Sequence, residues 1–187
     1  MRTPHRRRAV WAGGWGMLGP MATPTYTAPG LTIEDGQAVI DLLDNRLVSL
    51  IDLALTLKHI HWNVVGPAFI GVHEMLDPQH AAVQAMVDAL AERIATLGGS
   101  PQGTPGHVVE VRDWEDYSLG RATTTDHLKE LDSVYVGVIT SHRDLEKKMA
   151  DLDPVTDDLL IGQIATLEKY HWFVRAHLEN AAGDLSG

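Results

Sequence analysis

The sequence contains no cysteine. That removes disulfides, iron–sulfur clusters and thiolate metal sites together. Any metal must be held by His, Asp or Glu, and the chain offers 10 His and 25 acids. Aromatic residues make up only 6% of the chain. No apolar run reaches the ~18 residues of a membrane-spanning helix. Strand signals are few, and there is no internal repeat. Acids are missing from residues 1–20, which carry Arg2, Arg6, Arg7 and Arg8. Bases are missing from the other end: no Lys or Arg follows Arg175. From Met21 onward 11 Lys and Arg face 25 acids, a formal −14 within an overall −10. A body of that sign suits cations and repels nucleic acid; only the basic leader reverses it locally.

What is present reads as helix. Residues 1–31 are rich in Gly, Pro, Thr and Arg without period. They read as a disordered basic leader, or as an over-extended start with Met21 the true one. The apolar run in "RRRAVWAGGWGML" is Gly-broken, a weak secretory signal. Residues 32–182 form one domain, and 183–187 a short tail. Four helical segments are predicted, over about 33–65, 69–97, 121–150 and 156–182. Thr32 is the expected N-cap of the first, Gly66-Pro67 its stop, and Gly98-Gly99-Ser100-Pro101 the stop of the second. The connection between the second and third holds "RDWEDYS", a possible short helix. The fold class expected is all-α, a four-helix bundle with a long crossover between helices two and three, the ferritin-like layout.

The second segment, "HEMLDPQHAAVQAMVDALAER", carries two ligand-type pairs at i,i+4: His73 with Asp77, and Asp88 with Glu92. At about 100° per residue all four fall on one stripe. Val72, Leu76, Val83, Leu90 and Ile94 fall on another, the core face. The pairs lie ~22 Å apart along the axis, too far for one ion with bonds of ~2 Å. Two antiparallel copies of this helix would set each chain's first pair opposite the other's second. A two-fold axis near residue 82 does this, and Ala81, Gln84, Ala85 and Ala91 on the stripe would allow close approach. The blander reading is an ordinary exposed acidic face neutralised by Arg93 or other bases, with Asp77 an N-cap ahead of Pro78.

"HWNVVGPAFIGVHEMLD", "DALAERIATLGGSPQGT" and "LEKYHWFVRAHLE" together resemble the Dps family of small ferritin relatives, over about residues 26–182. The family pattern is His-Trp, a second His twelve residues on, then Asp, Asp and Glu at further steps of four, eleven and four. His61, Trp62, His73, Asp77, Asp88 and Glu92 fill those places. The resemblance implies a hollow homo-dodecamer with di-iron ferroxidase sites across two-fold interfaces. His61, His73 and Asp77 would come from one subunit and Asp88 and Glu92 from its partner. It implies oxidation of ferrous iron, preferably by hydrogen peroxide, storage of ferric mineral, protection against oxidative stress and a cytoplasmic location. Trp62 would contact the site and donate an electron or trap a radical; equally, it is a packed interface aromatic.

Other motifs are weaker. His59 lies about 200° from His61 and cannot join its site. His80, near the proposed axis, faces its symmetry mate or adds a ligand. Glu168 and His171 match the E-x-x-H of ordinary di-iron bundles, but only once, and read as a decoy. "HEMLD" lacks the second His of a zinc-protease motif. Asp151, Asp153, Asp157 and Asp158 cap the last helix or line a negative pore. The alternative function is a nucleoid-associated DNA-binding protein with iron oxidation secondary, binding DNA only through the leader.

Overall fold

A computed structural model of the chain describes residues 24–112, 114–179 and 185. Four long helices carry the structure: α1 (Ile33–Asn63), α2 (Phe69–Thr96), α4 (Thr124–Met149) and α5 (Pro154–Leu178). A short α3 (Pro105–Val111) lies in the crossover, and two-residue strands β1 (Val64–Val65) and β2 (Ala122–Thr123) flank it. The expected all-α bundle with its crossover between the second and third long helices is therefore present. α1 packs along α2 and α4 along α5, giving two hairpins whose apolar faces close on one core.

Local chemistry sets the helix ends. Thr32 caps α1, its hydroxyl accepting from the amide of Asp35 at 3.0 Å. Thr123 caps α4 by the same contact with Asp126 at 3.2 Å. Each satisfies an amide that has no intrahelical partner. α2 ends where Gly98 turns left-handed at φ 90°, letting Gly99 donate back to the carbonyl of Ile94 at 2.9 Å. A Cβ at Gly98 would also collide with the carbonyl oxygen of Tyr26. The chain ahead of Thr32 is thus already packed on the bundle: Pro24 is buried and the Tyr26 hydroxyl points to the carbonyl of Ala95. Residues 1–23 of the expected leader, and most of the 183–187 tail, lie outside the described residues. Leu185 pairs with Glu179 in a single antiparallel bridge.

Two local expectations are corrected. α2 runs unbroken through Pro78, so Asp77 is not an N-cap. An interior proline costs about 3 kcal/mol. The preceding turns bury Val72 and Leu76 completely against the bundle, and burial at about 1.5–3 kcal/mol per side chain offsets that cost. The crossover helix also sits earlier than "RDWEDYS". Pro105 occupies the first turn of α3, where its missing amide costs nothing. His107 Nε2 to Asp44 at 2.9 Å and Arg112 to Asp52 at 2.8 Å fasten α3 to α1. The chain then turns extended at Arg112.

The core is aliphatic: Leu43, Leu47, Leu50, Leu57 and Ile60 of α1 meet Leu76, Val83, Leu90 and Ile94 of α2, and Leu131, Val138, Leu160, Leu167 and Val174 of the second hairpin. β1 and β2 pair in parallel, Val64 with Ala122 and Val65 with Thr123, clamping the end of the crossover beside the end of α1. Among the described residues no helix is long and apolar enough to cross a membrane.

Candidate metal centre

The break at Gly66 (φ 114°) folds the end of α1 back beside the second turn of α2. This brings together His61 and His73, twelve residues apart. Each ring bonds the other's backbone: His61 Nδ1 lies 2.9 Å from the carbonyl oxygen of His73, and His73 Nδ1 lies 2.8 Å from that of His61. A carbonyl only accepts, so both Nδ1 atoms carry protons. Each Nε2 is left with its lone pair free, the form a metal ligand needs. The rings stack at 3.6 Å between centroids, 22° apart.

Asp77, one turn beyond His73, reaches the same place: its Oδ1 lies 3.4 Å from His61 Nδ1. The same oxygen accepts from Lys58 Nζ at 2.6 Å. That hydrogen bond, with the nearby imidazoles, holds the Asp77 carboxyl below the usual carboxylate range. Lys58 lies three residues before His61 on the same side of α1 and was not singled out in the sequence. Its spacing to His61 was the available signal.

Asp88 and Glu92 continue the stripe on the exposed side of α2. Asp88 is eleven residues beyond Asp77, ~16 Å along the axis. The chain therefore does not bring the two pairs together. Among its described residues no three His, Asp or Glu side chains meet as a metal cage. Arg93 does not neutralise the second pair. It donates to Thr156 at 2.9 Å and to Asp153. Asp88 and Glu92 have no ion-pair partner among the described residues. Ala81, Gln84 and Ala85 between the pairs are exposed as well.

The remaining candidates separate. Trp62 is 72% exposed in the single chain, facing away from the core. His59 turns from the stripe, its Nε2 2.6 Å from the carbonyl of Leu119. His80 is half-buried, and burial followed by Lys58 pushes its pKa down. Glu168 accepts from Arg143 and His171 bonds Asp132 at 2.8 Å, both joining α5 to α4. The acidic cluster divides. Asp153 is buried, caps α5 through the Val155 amide at 3.3 Å, and is held by Thr156 and Arg93. Burial alone would raise its pKa, but those partners outweigh it and the net shift is downward. A lining role for Asp153 is thereby replaced by a capping one, while Asp151 and Asp158 are exposed.

In donor chemistry, two free imidazole Nε2 atoms with a carboxylate nearby are the donor types of a mixed nitrogen–oxygen site. Asp88 and Glu92 offer an all-carboxylate complement. Such sets suit ferrous and ferric iron, and also zinc or manganese.

The chain is similar to known proteins over most of its length. The ferritin-like domain family matches residues 40–183. The chain is 55% identical over 162 residues to the DNA protection during starvation protein of Mycolicibacterium smegmatis, covering 87% of this chain and 88% of that one. It is 50% identical over 160 residues to the fine tangled pili major subunit of Haemophilus ducreyi, covering 86% and 85%. The structure of DpsA14 from Streptomyces coelicolor superposes with a TM-score of 0.87 at 55% identity, covering 88% of this chain and 98% of that one. With the ferritin-like bundle, the paired histidines of the α1–α2 turn and this degree of identity, the chain belongs to the Dps family.

Proposed function

We propose that the protein is an iron-storing ferroxidase whose sites form between two copies of the chain. The observation that carries this is the imbalance along α2. His61 and His73 are paired by their own chain with Asp77 one turn away, and Asp88 and Glu92 stand exposed and unpaired further along the same helix, where an antiparallel copy would bring them opposite. Iron is the substrate. The two Nε2 atoms and Asp77 of one chain, with Asp88 and Glu92 of the other, would hold a pair of ferrous ions. Their carboxylates favour the extra charge gained on oxidation. Two ferrous ions supply the two electrons that reduce one hydrogen peroxide to water. Hydrolysis of the ferric product releases protons to solvent and leaves mineral. This consumes both Fenton reagents and protects against oxidative stress. Lys58, one bond from Asp77, orients that carboxylate before iron arrives. Trp62, beside His61 on the exposed side, would be covered in the dimer.

The assembly that stores mineral is a hollow homo-dodecamer of 20.5 kDa chains built from these dimers, with closed symmetry. It would act in the cytoplasm. DNA is reached only through the basic leader, because the body carries −14. With the leader retained, the protein would associate with the nucleoid.

The test is complementation. Replacing His73 and Asp77 by alanine, or Asp88 and Glu92 by alanine, should each abolish rapid ferrous oxidation. Co-assembled from both double variants, one interface in a mixed dimer holds an intact site and part of the activity returns. Absence of recovery in dodecamers shown to be mixed, or light scattering that finds only monomers, sinks the shared site.

A further inference from the structure

On the opposite side of α1 from the proposed iron site lies a second cluster, His59, Tyr117 and His127. The clamp of β1 on β2 holds it together. His127 is completely buried at the start of α4. The Tyr117 hydroxyl lies 2.9 Å from His127 Nδ1 and 3.3 Å from the His127 carbonyl oxygen, with the two rings 6° from parallel. His59 meets the edge of Tyr117 at 5.7 Å between centroids, and its Nε2 is fixed on the carbonyl of Leu119. The iron-site residue His61 is two positions from His59 on α1, on the other side of the helix, so the clusters are separated by about one helix diameter, 10–12 Å.

A phenol in such a place keeps its proton. Burial, then the nearby Glu130 carboxylate, pushes Tyr117 well above the usual phenol range. It can therefore give up an electron only if the proton leaves at the same time, and His127 Nδ1 is the acceptor in reach. Burial, and to a lesser degree His59, disfavours the charged imidazole, and the net shift is downward; the carbonyls of Asn63 and Gly120 and the Asp126 carboxylate oppose it, so the proton His127 takes up is held only transiently. The ring geometry is fixed by packing on both sides, so little rearrangement accompanies the transfer.

We propose that Tyr117, with His127 as its proton acceptor, supplies the second electron to hydrogen peroxide when an iron site holds a single ferrous ion. The inference rests on the ferroxidase reading above. One ferrous ion gives one electron, and peroxide needs two to become two waters. Tyr117 gives the other, its phenolic proton passes to His127 Nδ1, and two protons from solvent complete the waters. The products are one ferric ion, a neutral Tyr117 phenoxyl, the His127 imidazolium and two waters. A later ferrous ion restores both residues: its electron reduces the phenoxyl and the proton returns from His127. Without this donor a one-electron cut of peroxide releases hydroxyl radical.

The experiment uses the full-length assembled protein, loaded without oxygen to fewer ferrous ions than sites, then mixed with peroxide and frozen for electron paramagnetic resonance. Wild type should give a tyrosyl signal whose splitting collapses with ring-deuterated tyrosine. Tyr117→Phe should lose most of that signal and raise hydroxyl radical caught by an external spin trap. His127→Gln, which keeps the phenol but removes the proton acceptor, should also lose it. Tyr26→Phe, remote from the cluster, should retain it. Circular dichroism and light scattering confirm folding and assembly of each variant. A full signal in Tyr117→Phe overturns the proposal, as does rapid wild-type oxidation at two ferrous ions per site with no radical at one. Wild type that oxidises no iron at all overturns the ferroxidase reading itself, which separates the two failures.

Discussion

The two halves of α2 differ in how much of their geometry the chain supplies. In the half with His73 and Asp77, the proposed ligands are already tethered: His73 and its α1 partner His61 to each other's carbonyls, and Asp77 to Lys58. In the half with Asp88 and Glu92 none is tethered and both side chains face outward. The lesson is one of division. Imidazoles must present one particular nitrogen, so they need a scaffold within the chain. Carboxylates accept from many directions and can wait for a partner to complete them.

The largest effect that could break this comparison is on function and stability together. Both double alanine variants should lose rapid oxidation. Only His73→Ala with Asp77→Ala should also weaken the fold, by about 1 kcal/mol for each hydrogen bond removed. Asp88→Ala with Glu92→Ala should leave thermal unfolding of the isolated subunit unchanged, or raise its midpoint by relieving the acidic face. Equal destabilisation, followed by calorimetry, would refute the division.

The same contrast of tethered and bare acids recurs at the start of α5. Asp153→Ala removes a cap and strands Arg93, and should cost about 3–5 kcal/mol as expected for breaking a buried pair. Exposed Asp158→Ala should change stability by less than about 0.5 kcal/mol. Denaturant titration of the two variants measures both. It also follows that neutralising Asp153 tests folding and not iron entry.

His142 gives a buried imidazole with no proposed metal role as a control for His61 and His73. It is fully buried, with Nδ1 3.1 Å from the carbonyl of Val138. Burial, then the positive Arg46, pushes it down to about 4 from 6.5. The folded state therefore resists a proton that the unfolded state takes up. Stability should be full above pH 6.5 and decline as pH falls towards 4, by about 3 kcal/mol in all. His142→Gln should flatten that slope in unfolding titrations. An unchanged acid limb would assign the loss to other groups.

The smallest effect concerns DNA. A form starting at Met21 should not shift DNA in a gel, and the full chain should do so weakly and lose binding with added salt. Tight binding by the shorter form would mean that a surface of the acidic body makes the contact.

Much of this was legible in the sequence because helices are local. The core face of α2, from Val72 through Ile94, follows from spacing alone, and so does the separation of its two ligand pairs. The stop at Gly98 follows from the need for a left-handed residue. What escaped depends on chain segments meeting. Lys58 reaches Asp77 across nineteen residues, and Tyr117 meets His59 of α1 where β1 and β2 bring the end of the crossover beside that helix. The short crossover helix starts at Thr104-Pro105, ahead of "RDWEDYS", because a proline in the first turn fits a helix start.

The hairpin between α1 and α2 has one more consequence, for the order of events as the chain folds. His61 and His73 are twelve residues apart, whereas Val64 and Ala122 of the strand clamp are 58 apart. Short loops close first, and long-range pairings wait on the entropy of bringing distant segments together. The histidine pair can therefore form while the second hairpin is still being synthesised. On the proposed function, the histidine half of the site would then be in place before the bundle closes, and a nascent chain would offer those two imidazoles to metal ahead of assembly.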